Sequence, residues 1–221
     1  MAVGSSGDIV RSIDSTNCKN RDTGVSPQVE GVICDIGSSF DNATKRYPVT
    51  NDLQRVTFGN DTFVAVGGSG TIVGSGYGNG NGKYFDNVTF PITSNLRGIT
   101  FGNNIFVAVG RYGRILRSSD NGTSFDNATS PTANTLKRIT FGNNTFVAVG
   151  NDGNILRSTD DGITWDNVTS PTANDLNGIT YGNYTFVAVG DGGNIVRSTD
   201  NGSTWDNITS GTSNNLNGVG F

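Results

Sequence analysis

The sequence predicts an all-β fold: a five-bladed β-propeller of four-stranded antiparallel blades, its ring closed by a blade shared between the N- and C-terminal segments. Three observations carry this prediction. The string Phe-Val-Ala-Val-Gly occurs at residues 63–67, 106–110, 146–150 and 186–190. Short runs of β-branched and aromatic residues surround every copy, and Gly, Asn or Asp separates them. The two ends of the chain match complementary parts of one repeat.

Each repeat fits four short strands. In the last complete repeat the runs cover residues 176–182, 183–190, 194–198 and 204–209. Tight turns between such runs favour an antiparallel meander. One meander cannot bury both of its faces, so copies of it are expected to pack around an axis. Helical repeats of similar length need a 3.6-residue apolar period, which the sequence lacks.

The chain ends determine the predicted number of blades. Residues 216–221 match only the first strand of a repeat, whereas residues 1–4 and 9–12 match the second and third strands. Pairing these segments would remove an open sheet edge. We therefore predict a single domain over residues 1–221, with an insertion at 16–37. The blades are expected at about 215–221 joined to 1–45, then 52–90, 95–130, 135–170 and 175–210.

Both cysteines, Cys18 and Cys34, lie in the insertion. A disulfide between them would constrain a segment that has little core of its own. Two free thiols in a reducing cytoplasm are the alternative. We favour the disulfide and therefore an oxidising compartment, so the protein is expected to be secreted or at the cell surface.

A Ser-x-Asp-x-Gly turn lies between the third and fourth strands of three repeats, at residues 118–125, 158–165 and 198–205. This pattern resembles the Asp-box of the sialidase-like (BNR) repeat superfamily. The whole repeat is also similar to the propellers of photosystem II assembly factors and related bacterial surface proteins. In that superfamily the box is structural and lies away from the active site.

The residues of these turns have a local role in this interpretation. Asp120, Asp160 and Asp200 can accept hydrogen bonds from the backbone of their own turns. Trp165 and Trp205 are expected to pack between blades. Calcium is the alternative ligand for the acids, but each turn offers only one or two carboxylates, too few for an oxygen cage. We therefore expect no metal and no cofactor.

The sialidase resemblance raises the question of catalysis. Sialidase chemistry needs an arginine cluster, and the regular arginines here all occupy one repeat position, at Arg11, Arg117, Arg157 and Arg197. An arginine repeated in this way is more typical of a solvated or inter-blade contact. The innermost strands carry no Asp or Glu, and the chain has no His. General acid–base and glycosidase chemistry lack their groups, so no enzyme and no catalytic residue are predicted.

Charge and hydropathy exclude two classes of partner. The net charge is −4 and no Lys/Arg run stands out, which disfavours nucleic acid. No apolar run approaches the roughly 20 residues of a membrane-spanning helix, so membrane insertion is not expected. The protein is expected to be a monomer.

Binding is the function that remains. The turns between second and third strands keep their glycines but vary at the central residues. Arg111, Tyr112, Asn151, Asp152 and Asp191 are therefore the candidate ligand-binding residues. We predict a non-catalytic, lectin- or adhesin-like module that recognises carbohydrate on this rim. The alternative is a protein-interaction scaffold or assembly factor, and a glycoside hydrolase is the least favoured function.

Overall fold

A computed structural model describes residues 2–3, 9–12, 40–42, 44–45, 50–75, 84–88 and 92–221. These residues form β-strands joined by turns. Cys18 and Cys34, with the disulfide predicted between them, lie outside the described residues. Within the described ranges, no helix has the length and apolar character needed to cross a membrane.

Four blades make up most of the described chain. Their strands are β5 (Leu53–Gly59), β6 (Thr62–Gly67), β7 (Ile72–Gly74) and β8 (Tyr84–Asn87) in blade A; β9 (Leu96–Gly102), β10 (Ile105–Gly110), β11 (Ile115–Ser118) and β12 (Asp126–Ala128) in blade B; β13 (Leu136–Gly142), β14 (Thr145–Gly150), β15 (Ile155–Ser158) and β16 (Asp166–Val168) in blade C; and β17 (Leu176–Gly182), β18 (Thr185–Gly190), β19 (Ile195–Ser198) and β20 (Asp206–Ile208) in blade D. Within each blade the four strands are antiparallel and follow chain order.

Shorter strands precede these blades. An N-terminal sheet contains β1 (Ala2–Val3), β2 (Ile9–Ser12) and β3 (Phe40–Asn42). Strand β4 (Thr44–Lys45) pairs in parallel with β8 and extends the sheet of blade A to five strands.

The second strand of each blade explains why the blades stack. Every residue of β10 is buried. Phe106 and Ala108 pack with residues of blade A, whereas Val107 and Val109 pack with residues of blade C. Because successive side chains of a strand point to opposite faces, the Phe-Val-Ala-Val string supplies apolar residues to both neighbouring interfaces. Full burial of each large side chain contributes about 1.5–3 kcal/mol.

The inner strands lie side by side around the axis, in the order β5, β9, β13 and β17. An aromatic ring on each inner strand covers the glycine that ends the preceding one. A Cβ on Gly142 would lie 2.1 Å from the ring of Tyr181, and one on Gly182 would lie 2.4 Å from the ring of Phe221. Glycine at Gly142 therefore lets adjacent inner strands lie close together, whereas Gly182 faces only the exposed ring of Phe221.

Residues 216–221 take the next place in this row without forming a strand. A Cβ on Gly178 would lie 3.0 Å from the Cα of Gly218, which places the segment alongside β17. At the other end of the row, β1 contacts β5. The predicted pairing of residues 216–221 with β1 is absent from the sheets of the described residues. The two glycines of this segment, Gly218 and Gly220, raise the entropic cost of ordering it as a strand.

Candidate functional site

The turns between the second and third strands of each blade have one geometry. Each is closed by a backbone hydrogen bond between residues three apart and has left-handed backbone at its second and third residues. These turns lie at Gly68–Gly70, Arg111–Gly113, Asn151–Gly153 and Asp191–Gly193. In blade B, Tyr112 has φ 59° and Gly113 has φ 65°. A Cβ on Gly113 would lie 1.9 Å from the carbonyl oxygen of Thr132, so only glycine lets this turn pack against the loop that leads to blade C.

Tyr112 is the most distinctive residue of these turns. Its left-handed backbone is unfavourable for a bulky aromatic residue and costs on the order of 1 kcal/mol. The backbone N–H of Gly113 donates to the carbonyl oxygen of Asn134 at 2.9 Å and helps to hold the turn in place. The Tyr112 side chain is 73% exposed. The fold therefore presents an aromatic face to solvent.

Tyr112 borders a groove at the junction of blades B and C. The groove has a volume of about 470 Å³, within the usual range for ligand sites. We call it the Tyr112 groove. Its lining residues are Arg97, Arg111, Tyr112, Thr135, Lys137, Asn151 and Asp175.

The structure brings together three of the five residues predicted to bind ligand, namely Arg111, Tyr112 and Asn151. Asp152 lines a separate cavity of about 410 Å³. Asp191 belongs to blade D, where its Oδ1 accepts a hydrogen bond from Nδ2 of Asn177 at 2.7 Å. The predicted set therefore does not form a single site.

The cations of the groove differ in their hydrogen bonding. Lys137 Nζ donates to Asp175 Oδ2 at 2.8 Å and to Asn177 Oδ1 at 2.7 Å. The hydrogen bond from Lys137 lowers the pKa of the Asp175 carboxyl from its ordinary value. By contrast, the guanidinium groups of Arg97 and Arg111 donate no hydrogen bond to any described residue.

Two buried polar atoms of the groove have no partner among the described residues, Nε of Arg97 and Oδ1 of Asn151. A buried polar atom without a partner is uncommon and costs about 1–3 kcal/mol. One is a donor and the other is an acceptor. A bound ligand with groups of both kinds would satisfy them.

The groove also offers a backbone donor that other blades do not. In blades A, C and D the N–H of the central turn residue donates to the side chain of Asn95, Asp175 or Asn215, at 3.0, 2.9 and 3.0 Å. The equivalent position in blade B is Thr135. As a result, the Tyr112 N–H has no acceptor among the described residues.

Arginines from three inner strands meet beside the groove. Nη1 of Arg138 lies 3.4 Å from the carbonyl oxygen of Arg97. Burial, together with the positive charges of Arg55 and Arg97, lowers the pKa of Arg138 to about 10. None of the three pairs with a carboxylate among the described residues. The sequence analysis did not predict this cluster, because its members come from separate repeats. The cationic residues at the start of the inner strands could have indicated it.

The Ser-x-Asp-x-Gly turns use their carboxylates internally. Asp160 Oδ1 accepts hydrogen bonds from Oγ of Ser158 at 2.8 Å and from the N–H of Thr164 at 2.9 Å. Burial raises the pKa of Asp160, but hydrogen bonds from Thr164 and Ser158 outweigh it and lower that pKa. In Asp200 the hydrogen bond from the Thr204 hydroxyl is the largest cause of a pKa lowered to about 2.

The other residues singled out in these turns lie as follows. Asp120 has the same arrangement as Asp160, with Ser124 and Ser118 as donors. The indoles of Trp165 and Trp205 are 7% and 6% exposed, and each Nε1 donates at 3.1 Å to a carbonyl oxygen of its own turn. Within the described ranges, no group of three or more His, Cys, Asp or Glu could hold a metal ion.

The regular arginines join one blade to the next. Nε of Arg117 donates to the carbonyl oxygen of Asp161 in the following blade at 2.7 Å. Arg157 makes the same bond to Asn201, also at 2.7 Å. These arginines therefore contact backbone carbonyls between blades, whereas Arg197 in blade D is exposed.

Comparison with known structures supports the fold. The chain superposes on YCF48 bound to a D1 peptide with a TM-score of 0.61 and 19% identity, covering 76% of this chain and 56% of that one. It superposes on YCF48 from Cyanidioschyzon merolae with a TM-score of 0.63 and 14% identity, covering 97% and 67%. An ancestral GH74 enzyme gives a TM-score of 0.59 at 17% identity, covering 71% and 24%.

At these identities the similarity concerns the fold alone, and the chain spans little more than half of the first of these structures. No curated protein matches the sequence. Residues 83–217, more than half of the chain, match the model of the DUF6242 beta propeller domain. The predicted all-β propeller is confirmed, and the chain belongs to the DUF6242 β-propeller domain family.

Proposed function

We propose that this protein is a non-catalytic propeller that binds a protein partner, and that the Tyr112 groove receives an extended segment of that partner. The unpaired donor and acceptor in the groove, Nε of Arg97 and Oδ1 of Asn151, carry the proposal. A structural neighbour, YCF48, has been solved with a D1 peptide bound, which supports a peptide as the kind of ligand.

The chemistry of the groove suits a peptide. An extended backbone alternates N–H and C=O groups, which complement Asn151 Oδ1 and the open Tyr112 N–H. The exposed ring of Tyr112 offers an apolar face with a polar tip, a common feature of protein interfaces. The carbohydrate-binding hypothesis is not supported by these findings, which favour the protein-interaction alternative.

We also propose that the protein is not an enzyme. The neighbours include both a GH74 enzyme and YCF48, so the argument depends on this chain's own residues. Among the residues that the structure describes, Asp175 is the one carboxylate that lines the groove, and its ion pair with Lys137 favours the charged form. A carboxylate held ionised at neutral pH is a poor general acid.

We propose further that the complete ring has five blades, closed by pairing of residues 216–221 with β1. The position of this segment beside β17, and of β1 beside β5, supports the closure. Slow hydrogen exchange of the amides of residues 217–221 would support it, and exchange at the rate of an unstructured peptide would contradict it. We also propose that the Ser-x-Asp-x-Gly turns are Asp-boxes. The protein is expected to be a monomer that is secreted or at the cell surface.

Affinity capture with two matched variants tests the interaction. Tyr112→Ser alters the groove, whereas Tyr184→Ser alters an equally exposed tyrosine, also at positive φ, at the opposite end of the strands. We expect wild type and Tyr184→Ser to retain one stoichiometric protein partner and Tyr112→Ser to lose it. The partner would then be purified and titrated by calorimetry.

Three results would contradict the proposed function. The first is equal binding of the purified partner by both tyrosine variants. The second is specific binding on a glycan array that Tyr112→Ser abolishes. The third is turnover of a chromogenic glycoside by the wild-type protein.

A further inference from the structure

We propose that the segment bound in the Tyr112 groove is acidic, and that carboxylates of the partner bind the guanidinium groups of Arg97 and Arg111. This inference rests on the proposed function and names the chemistry of its ligand. Arg55 and Arg138, on the neighbouring inner strands, extend the same positive surface toward the axis.

The charge balance of the groove is the first argument for an acidic ligand. Of its four charged lining residues, Lys137 and Asp175 neutralise each other at 2.8 Å. Arg97 and Arg111 remain without a counter-charge among the described residues. This local excess of positive charge lies in a chain whose net charge is −4, so it does not follow from overall composition.

The neighbouring inner strands add to that excess. Arg55 and Arg138 donate to backbone carbonyls, at 2.6 Å to Gln54 and at 2.7 Å to Lys137. Carbonyl oxygens satisfy hydrogen bonds but do not cancel the charge. Like charges gathered in a partly buried region oppose folding, and a bound anion removes that opposition.

Geometry favours carboxylate over other ligands. A guanidinium binds a carboxylate through two parallel N–H groups, and such paired bonds are strong and specific. Nε of Arg97 is buried and has no acceptor among the described residues, so this edge of the guanidinium is not already occupied by a protein carboxylate. An extended nucleic acid would also meet the negative remainder of the surface, which disfavours it.

A labelled peptide tests the inference directly. A twelve-residue fluorescein peptide of alternating Glu and Ser would be compared with its Gln counterpart by fluorescence anisotropy. We expect the Glu peptide to bind at least tenfold more tightly. Arg97→Gln and Arg111→Gln should each weaken it by about tenfold or more. Arg197→Gln removes the same charge from an exposed site on β19 and should change affinity less than twofold.

Equal binding of the Gln peptide would overturn the inference, as would equal weakening by Arg197→Gln. Displacement of the peptide by an equimolar amount of inorganic phosphate would show a simple anion site and also overturn it. Tighter binding of an oligothymidylate would indicate nucleic acid instead. The charge-reversed variant Arg97→Glu/Arg111→Glu should prefer a Lys peptide, and circular dichroism would verify that each variant is folded.

The two proposals can fail separately. If the Glu peptide does not bind while a protein partner is lost in Tyr112→Ser and kept in Tyr184→Ser, the acidic ligand is wrong and the proposed function stands. If neither peptide nor protein binds, both proposals are wrong.

Discussion

Replacing Gly142 by alanine should destabilise the propeller through a single steric contact. The glycine ends β13, and a Cβ there would lie 2.1 Å from the ring of Tyr181 on the next inner strand. Its φ lies outside the left-handed region, so alanine suits the backbone and the clash alone decides the outcome. The ring must retreat by about 1.5 Å to reach ordinary contact.

Moving the ring disturbs its packing. The ring of Tyr181 lies 4.6 Å from that of Phe186, centroid to centroid, and Phe186 is fully buried. Overpacking of this kind costs about 1–3 kcal/mol, and loss of the aromatic pair adds about 0.5–1.5 kcal/mol. A total of about 2–4 kcal/mol corresponds to a fall in Tm of roughly 5–15 °C for a domain of this size.

Calorimetry and urea unfolding would measure the effect against two controls. Gly182→Ala meets Phe221, which is 70% exposed at the end of the chain and can move away, so its cost should stay within about 0.5 kcal/mol. In a Tyr181→Ala background, Gly142→Ala should become nearly neutral. Wild-type stability of Gly142→Ala, or an unchanged cost without the Tyr181 ring, would refute the reasoning.

Three further predictions concern charge and hydrogen bonding. Asp200→Asn should lower the free energy of unfolding by about 1 kcal/mol at pH 7, a value kept small because solvent screens this exposed carboxylate. Asp206→Asn should leave the free energy of unfolding unchanged. Because folding lowers the pKa of Asp200 to about 2, its contribution is present above about pH 4 and lost toward pH 2, where urea midpoints of wild type and Asp200→Asn should converge. Ser158→Ala should cost about 1–3 kcal/mol in urea unfolding, because it leaves the buried N–H of Gly162 without its acceptor at 3.0 Å. Arg138→Gln should raise Tm, most at low salt, because the lowered pKa means that folding disfavours the charged form. Wild-type stability should gain from this group only as pH rises above about 10, and a Tm insensitive to salt would contradict this.

Local structure was largely predictable from the sequence. The inner strand predicted at residues 176–182 has those bounds in the structure. The second strand begins at Thr185 rather than at residue 183, because Asn183 and Tyr184, with φ of 46° and 58°, form a two-residue hairpin turn. Such turns need left-handed backbone at both central positions, and the twist of the strands imposes that conformation even on tyrosine.

The candidate site was predictable only in part. The variable centres of the turns between second and third strands pointed to Arg111, Tyr112 and Asn151, which line one groove. The same pattern also selected Asp152 and Asp191, which lie elsewhere, because a repeat position does not specify which junction between blades it faces.

The sequence by itself determined the repeat, its four strands and the residues that punctuate them, since these follow from side-chain alternation and turn preferences acting over a few residues. The tertiary structure alone decided that Arg55, Arg97 and Arg138, from three different repeats, would lie near one another, and that Arg97 would share a groove with Arg111. Packing blades around an axis brings the opening residues of neighbouring inner strands together, so charges that are dilute along the chain become concentrated there.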